Sequence, residues 1–203
     1  MTTASARFLI VGPQGSGKGT QGIRIAEAFG IPVVSTGDIF RANIKGGTEL
    51  GKKVQEITAR GDLVSDELTG DLVRDRLSED DAATGFLLDG YPRNRAQVGD
   101  LDEFLGGRGE ALDAVIELAV PREESIARIA LRAAEQGRED DTPDAIAKRL
   151  DIYEKETAPI LEVYGVRGIV DTIDGVGSLD EITERIFAAL AARGLTASAD
   201  ADA

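Results

Sequence analysis

The sequence predicts an α/β fold of three layers, with a five-stranded parallel sheet between helices. Three features predict it. Five short apolar, β-branched-rich runs recur along the 203 residues. Stretches with helical spacing separate these runs, and the glycines and charged residues able to carry chemistry follow the runs directly. Strands alternating with helices call for parallel, right-handed crossovers, and such sheets take ligands at the carboxyl ends of their strands.

The first strand is Phe8 to Val11, and it runs into GPQGSGKGT at 12–20 and a helix from Thr20 to Phe29. The second is Val33 to Ser35, followed by TGDIFR at 36–41. Residues 35–64 hold a helical region broken at Lys45-Gly46-Gly47, with a helix from Glu49 to Arg60, long enough for a small excursion beside the sheet. A helix at Asp66 to Leu77 leads to the third strand, Phe86 to Leu88, which ends in DGYPR at 89–93. A helix at Arg95 to Leu105 precedes the fourth strand, Ala114 to Val120, and a helix at Glu123 to Glu135 follows it. The charged, Gly-bearing break at 134–143 reads as an exposed hairpin or short lid. Helical spacing then continues from Pro143 to Tyr164. The fifth strand is Gly168 to Ile173, and the last helix runs from Leu179 to Ala192. The tail at 196–203 has small and acidic residues and is expected to be disordered. The chain carries no internal repeat.

A net charge of -14 opposes general affinity for nucleic acid or anionic membranes, so an anionic ligand must meet a local cationic pocket. Cys is absent, which removes disulfides and thiolate metal sites. His is absent too, which removes imidazole bases, phosphohistidine and His-ligated metals. The start MTTASARFLIVG lacks a signal-peptide layout, and no apolar stretch reaches membrane-spanning length, so a cytoplasmic protein is expected.

The loop at 12–20 lies between a strand and a helix, the context that gives a phosphate-loop match its meaning. Gly15, Gly17 and Gly19 let backbone amides turn toward one anion, the helix start adds partial positive charge, and Lys18 adds a point charge. Gly19 stands where the usual pattern has Ser or Thr, and the hydroxyl has moved to Thr20. The competing reading is a Gly-rich turn that only permits tight packing. Asp89, ending a buried strand, is placed like a Walker B carboxylate able to hold water around magnesium, or else serves as a turn residue. Arg93 follows at a Pro-stiffened turn with a forked donor. Thr36 offers a hydroxyl, Asp38 a carboxylate near the cation, and Arg41 sits one turn into the next helix. Arg128 and Arg132 share a helical face, while Arg138 and Arg149 flank Asp140 and Asp141. Single arginines on an acidic chain are usually solvated surface. Phosphoryl transfer between two nucleotides, by contrast, needs them clustered.

The ordered set GPQGSGKGTQ, STGDIFR, GDLVSDE, DGYPRNRAQ, VPREESIARIALR, GREDD, KRLDIYEKETAPILEVY and IDGVGSLDEI resembles the adenylate kinase family over nearly the whole chain. The resemblance implies a single kinase domain over 1–203 with the three-layer fold of P-loop nucleoside monophosphate kinases. It implies an AMP-binding helical insert at 35–64, a short lid at 131–141, and a monomer. The implied activity is reversible, magnesium-dependent conversion of ATP and AMP to two ADP. ATP would be bound by Gly15, Ser16, Gly17, Lys18, Gly19 and Thr20, with Lys18 following the transferring phosphoryl. Arg128 would stack near the ATP base, Arg132 would reach its phosphates, and Gly177 would lend a carbonyl to adenine. AMP would meet Thr36, Arg41, the backbone of Asp62, Leu63 and Val64, then Gly90, Tyr91, Pro92, Arg93 and Gln97. Arg138 and Arg149 would close over both substrates' phosphates. Lys18, Arg93, Arg132, Arg138 and Arg149 form the implied catalytic set. Asp38 and Asp89 would hold magnesium through its waters, and Asp140 and Asp141 would orient the lid arginines.

Such a set has no nucleophile and needs none, because in-line transfer asks for alignment, charge neutralisation and exclusion of water. Many bacterial members carry a long lid with four metal-binding residues. Here only Ala133 to Gly137 separates Arg132 from Arg138, so the short lid without structural zinc is implied. Tyr91 replaces the common Phe of DGFPR and keeps the ring.

A UMP/CMP kinase shares the phosphate loop, the arginines and a DGFPR-type motif. Related pyrimidine kinases tend to have Ala in place of Thr36 and Asn in place of Gln97, so this pair favours adenine, although Asn94 also occurs in pyrimidine kinases. A Gln amide can accept from an exocyclic amine and donate to a ring nitrogen, as adenine requires. A GTPase would need an Asn-Lys-x-Asp motif, which is absent. A catalytically silent nucleotide-binding module would have lost charged site residues, and Lys18, Arg41, Arg93, Arg132, Arg138 and Arg149 are all kept.

Overall fold

Strand β1 (Ala6–Val11) lies at the centre of the sheet, and its side chains alternate between two cores. Phe8 and Ile10 enter one hydrophobic cluster, while Leu9 and Val11 enter the other. A strand buried on both faces must be apolar throughout, which is why the run carries no polar alternation. The computed structural model describes residues 6–60, 62–136 and 142–197, without the side chains of 133–136.

The other strands are β2 (Val33–Ser35), β3 (Gly85–Asp89), β4 (Ala114–Ala119) and β5 (Val170–Asp174), all parallel in the order β2-β3-β1-β4-β5. The chain leaves β1 for β2 and β3 on one side and returns to β4 and β5 on the other. The strand order therefore reverses beside β1, and a crevice opens at the carboxyl ends there.

The helices are α1 (Lys18–Phe29), α2 (Thr36–Lys45), α3 (Glu49–Ala59), α4 (Asp66–Leu77), α5 (Arg95–Gly107), α6 (Arg122–Gln136), α7 (Pro143–Ile152), α8 (Ile160–Val166) and α9 (Leu179–Ala192). Ile25 and Ala26 of α1 and Ile182, Ile186 and Leu190 of α9 cover the face with Phe8, Ile10 and Leu87. Val73 and Leu77 of α4, Val98 and Leu101 of α5, and Ile160 and Tyr164 of α8 cover the face with Leu9, Phe86 and Leu88. Ile129 of α6 packs with Ile146 and Leu150 of α7 in a third, smaller cluster.

The continuous helix expected over 143–164 is three pieces. Between α7 and α8, residues Tyr153–Thr157 form a wide turn in which the Ala158 N–H donates to the Tyr153 carbonyl at 2.7 Å. Pro159 supplies the reason, since it has no N–H and its ring crowds the preceding turn. The widening serves a contact: the Thr157 hydroxyl donates to the Arg93 carbonyl at 2.9 Å. Thr36 is the first residue of α2, because the Ser35 hydroxyl caps the helix by accepting from the Asp38 N–H at 3.3 Å.

Helices α2 and α3 cross at Gly51, where a Cβ would lie 2.1 Å from the Asn43 carbonyl oxygen, while no heavy atom lies within 4 Å of a Cβ at Gly99 in α5. Gly51→Ala should therefore cost about 1–3 kcal/mol through overpacking. Gly99→Ala should add about 0.5–1 kcal/mol by restricting the unfolded chain in a helical position. Thermal melting of both variants checks this, and a Gly51→Ala protein that melts at or above the native temperature would contradict the close crossing.

Candidate active site

The loop from β1 to α1 is built against α6. Gly15 (φ 83°) and Gly17 (φ 91°) take left-handed backbone conformations, and a Cβ on Gly15 would come 2.6 Å from the Ser125 carbonyl oxygen. The loop is thus pressed onto α6 at Gly15, yet open at Gly17 and Gly19, where a Cβ would meet nothing within 4 Å. No side chain caps α1, and its first turn holds no acidic residue, so the partial positive charge of the helix start faces the open side. Ser16 is buried beneath the loop, and Thr20 is exposed on the first turn.

Lys18 folds back over the loop and donates to the carbonyls of Gly12 at 2.7 Å and Pro13 at 3.0 Å. Burial pushes its pKa from 10.5 to about 8; Asp89 opposes the shift, and Arg93 and Arg132 add to it. Burial likewise lowers the Arg93 pKa, again opposed by Asp89 and reinforced by Arg149 and Arg41. Lys18 and Arg93 thus both feel the Asp89 carboxylate, with Arg132 acting on Lys18, and Arg149 and Arg41 acting on Arg93.

Asp89 ends β3, next to Ile10 on one side and Ser35 on the other. It joins no ion pair of 4.0 Å or less among the described residues. Among those residues no group of three or more His, Cys, Asp or Glu side chains could hold a metal ion. The donor set fits a magnesium ion carried on phosphates, with Asp89 available to its waters, and does not fit a protein cage. Asp38 accepts from Arg41 at 2.6 Å and so positions that arginine on α2.

The loop after β3 is tied to the end of β2. Gly90 (φ 88°) accepts at its carbonyl from the Thr36 hydroxyl at 3.1 Å and from Arg93 Nε at 2.7 Å. A Cβ on Gly90 would lie 2.5 Å from Thr36 Oγ1, so only glycine fits between Thr36 and Arg93. Tyr91 is buried and joined to Pro92 by a cis peptide bond. The Arg93 N–H donates to Gln97 Oε1 at 2.7 Å. Val64 is buried, and with Leu63 it links α3 to α4, while Asp62 accepts from Arg60 and Lys148. Arg149 of α7 donates to the Thr58 carbonyl at 2.8 Å, which brings α7 against the end of α3.

On the other side of the crevice, Arg128 donates from Nε to Glu124 at 2.7 Å and from Nη2 to the Gly175 carbonyl at 3.0 Å. Arg128 therefore lies against the loop that carries Gly177, which is exposed with φ 138°. Arg138, Asp140 and Asp141 lie outside the described residues, as does most of the expected tail.

Several supporting residues escaped the sequence reading. Asp66 accepts from Gln97 Nε2 at 2.7 Å and from Asn94 Nδ2 at 2.9 Å. Asn94 caps α5 by accepting from the Gln97 N–H at 2.9 Å, a role that its place three residues before Gln97 signals. Gln21, one turn after Lys18, donates to the Leu179 carbonyl at 3.0 Å and accepts from Thr183, fastening α1 to α9.

Comparison with known proteins agrees with this arrangement. The family model described as Adenylate kinase matches residues 10–169. The chain is 58% identical over 188 residues to an adenylate kinase of Leifsonia xyli, covering 93% of this chain and 94% of that protein. It is 56% identical over 195 residues to one of Clavibacter michiganensis, covering 96% and 98% of the two. It is 54% identical over 187 residues to one of Thermobifida fusca, covering 92% and 99%. With the phosphate loop, the β3 carboxylate and the converging arginines set on a 2-3-1-4-5 parallel sheet, the chain belongs to the adenylate kinase family.

Proposed function

We infer that this protein is an ATP:AMP phosphotransferase that moves the γ-phosphoryl group of magnesium-bound ATP to AMP, giving two ADP, and runs in both directions. One observation carries the reading. A chain of net charge -14 brings Lys18, Arg41, Arg93, Arg132 and Arg149 within electrostatic reach of one another beside Asp89, at the switch point of its sheet. Only a strongly anionic ligand offsets such a cluster, and two nucleotides aligned for transfer supply that charge.

In the reaction an AMP phosphate oxygen bonds to the γ-phosphorus while the bond to the β-phosphate bridging oxygen breaks, and ADP leaves with that electron pair. Lys18 moves from the carbonyls of Gly12 and Pro13 to the transferring group and neutralises its oxygens. The amides of Gly15 to Thr20 hold the ATP phosphates, and Arg132 reaches them from α6. Arg41, Arg93 and Arg149 hold the AMP phosphate, with Arg138 of the lid at 131–141 joining them. Magnesium, when bound with ATP, would supply further positive charge for the phosphates, and Asp89 and Asp38 would be the residues to hold its waters. Arg128 and the Gly177 carbonyl receive the ATP base, while Thr36, Gln97 and the backbone of 62–64 and 90–92 enclose AMP. Among the described residues no helix is long and apolar enough to cross a membrane. The protein acts in the cytoplasm as a monomer, with no nucleic acid or membrane partner. Thr36 and Gln97 at the acceptor side favour adenine over the pyrimidines of a UMP/CMP kinase.

Three outcomes test this reading. A coupled assay with ATP and AMP, UMP, CMP or GMP in turn should show AMP strongly preferred, and equal turnover of CMP would overturn the assignment. Lys18→Met should lower kcat by about a thousandfold or more with the circular dichroism spectrum intact. The third outcome concerns pH. The Lys18 pKa is lowered to about 8 without ligand. Phosphates beside Nζ favour the charged form and raise that value, so ATP binding should take up a proton once the pH exceeds it. Affinity for ATP should be flat in this respect below that pH and weaken above it. Calorimetry near about pH 9 in two buffers of different ionisation enthalpy should detect the uptake, and Lys18→Met should abolish it.

A further inference from the structure

The Gln97 amide is held at both ends. Its Oε1 accepts from the Arg93 N–H at 2.7 Å, and its Nε2 donates to Asp66 Oδ1 at 2.7 Å. A backbone N–H can only donate and a carboxylate can only accept. A reversed amide would set oxygen against carboxylate and NH2 against N–H, so one orientation survives. Asp66 is held in turn, since the same Oδ1 accepts from Asn94 Nδ2 at 2.9 Å, and Asn94 is fixed as the cap of α5. The clamp joins the first turn of α4 to the start of α5, 31 residues apart for Asp66 and Gln97.

After these bonds Gln97 keeps one lone pair on Oε1 and one hydrogen on Nε2. That pair matches a base edge with an exocyclic amine beside an accepting ring nitrogen, the pattern of a 6-aminopurine. A 6-oxopurine has the same size but the opposite pattern, a carbonyl beside a ring N–H. An unclamped Gln could turn over and bind either one.

We propose that Asp66 is the positioning residue for acceptor specificity: it fixes the Gln97 amide so that the site takes a 6-aminopurine monophosphate and rejects its 6-oxo counterpart. The proposal rests on the reading that Gln97 faces the AMP base. Asp66 acts through Gln97. A plain structural clip between α4 and α5 would alter stability and all acceptors alike, whereas a positioning role alters the ratio between them.

The test compares kcat/KM for AMP and IMP, with ATP as donor, in the native protein, Asp66→Asn and Gln97→Ala. Asp66→Asn replaces a charged acceptor by a neutral amide that can present either a donor or an acceptor, and leaves the Arg93 N–H as the one remaining one-way partner of Gln97. It should therefore lower the AMP-to-IMP ratio several-fold, up to about tenfold, with KM for ATP unchanged. A native ratio in Asp66→Asn beside a collapsed ratio in Gln97→Ala overturns the proposal and leaves the reading of Gln97 in place. Equal loss for both acceptors in Asp66→Asn also overturns it, because that is the behaviour of a clip. A native ratio in Gln97→Ala removes both the reading and the proposal. If Asp66→Asn does not fold, Asp66→Ser, which keeps a side chain suited to a helix first turn, carries the same comparison.

Discussion

Like charges held together before any ligand arrives are the constraint around which this site is built. Two cations about 6 Å apart repel by roughly 3 kcal/mol at the effective dielectric of a protein surface. Burial is the main cause of the lowered pKa values of Lys18 and Arg93, and the neighbouring cations add to it. The fold tolerates it by placing backbone oxygens under the cations. Lys18 rests on the carbonyls of Gly12 and Pro13, and Arg93 on that of Gly90. Carbonyls fix geometry through hydrogen bonds without cancelling the charge. Elsewhere the chain does the reverse: Arg74, Arg76, Arg122, Arg167 and Arg193 each meet a carboxylate. Within the site Lys18 and Arg93 rest on carbonyls, while Arg41 pairs with Asp38.

This choice of partner explains why the strand ends are so tightly specified. Carbonyls can serve as cradles only where the backbone is turned out of the sheet ladder, which happens at the carboxyl ends of β1 and β3. Glycines with positive φ at 15, 17 and 90 produce those turns. The Thr36 hydroxyl and the Thr157 hydroxyl then brace the loop after β3 from two directions, through Gly90 and Arg93. The wide turn in the long helical stretch is part of that brace, since a regular helix would carry the Thr157 hydroxyl past the Arg93 carbonyl. Helix irregularity and active-site order are two aspects of one contact.

The sequence made the phosphate half of the site readable and left much of the base half hidden, for a physical reason. Phosphate binding here uses local features: a strand, glycines and Lys18 within one loop, and Asp89 at a strand end, all visible in short windows. The five strands were legible because burial on both faces leaves them apolar without interruption. The break at 153–157 was not, because helical spacing continues through it and only Pro159 marks the change. Asp38 carries a second local signal beside the carboxylate itself. Its spacing of three from Arg41 on α2 serves the ion pair seen in the structure. Asp66 was invisible because its partners lie 28 and 31 residues away, and no pattern within a helix announces a contact made across two of them.

Charge cannot tell one nucleoside monophosphate from another, since all present the same phosphate. On the proposed function, the arginines and Lys18 would supply binding and rate but no preference among bases. Preference must come from neutral hydrogen-bonding groups whose donors and acceptors are fixed before the base arrives, each worth only about 1–3 kcal/mol when left unmatched. Terms so small discriminate only if the protein cannot rearrange to accept the wrong partner. A freely rotating amide would recover most of the lost bond by turning over. A clamped amide cannot, and the full penalty falls on the wrong base. Rigidity at Gln97 therefore matters more to selectivity than the presence of an amide there, and that rigidity is supplied by an acceptor-only carboxylate and a donor-only N–H on either side of it.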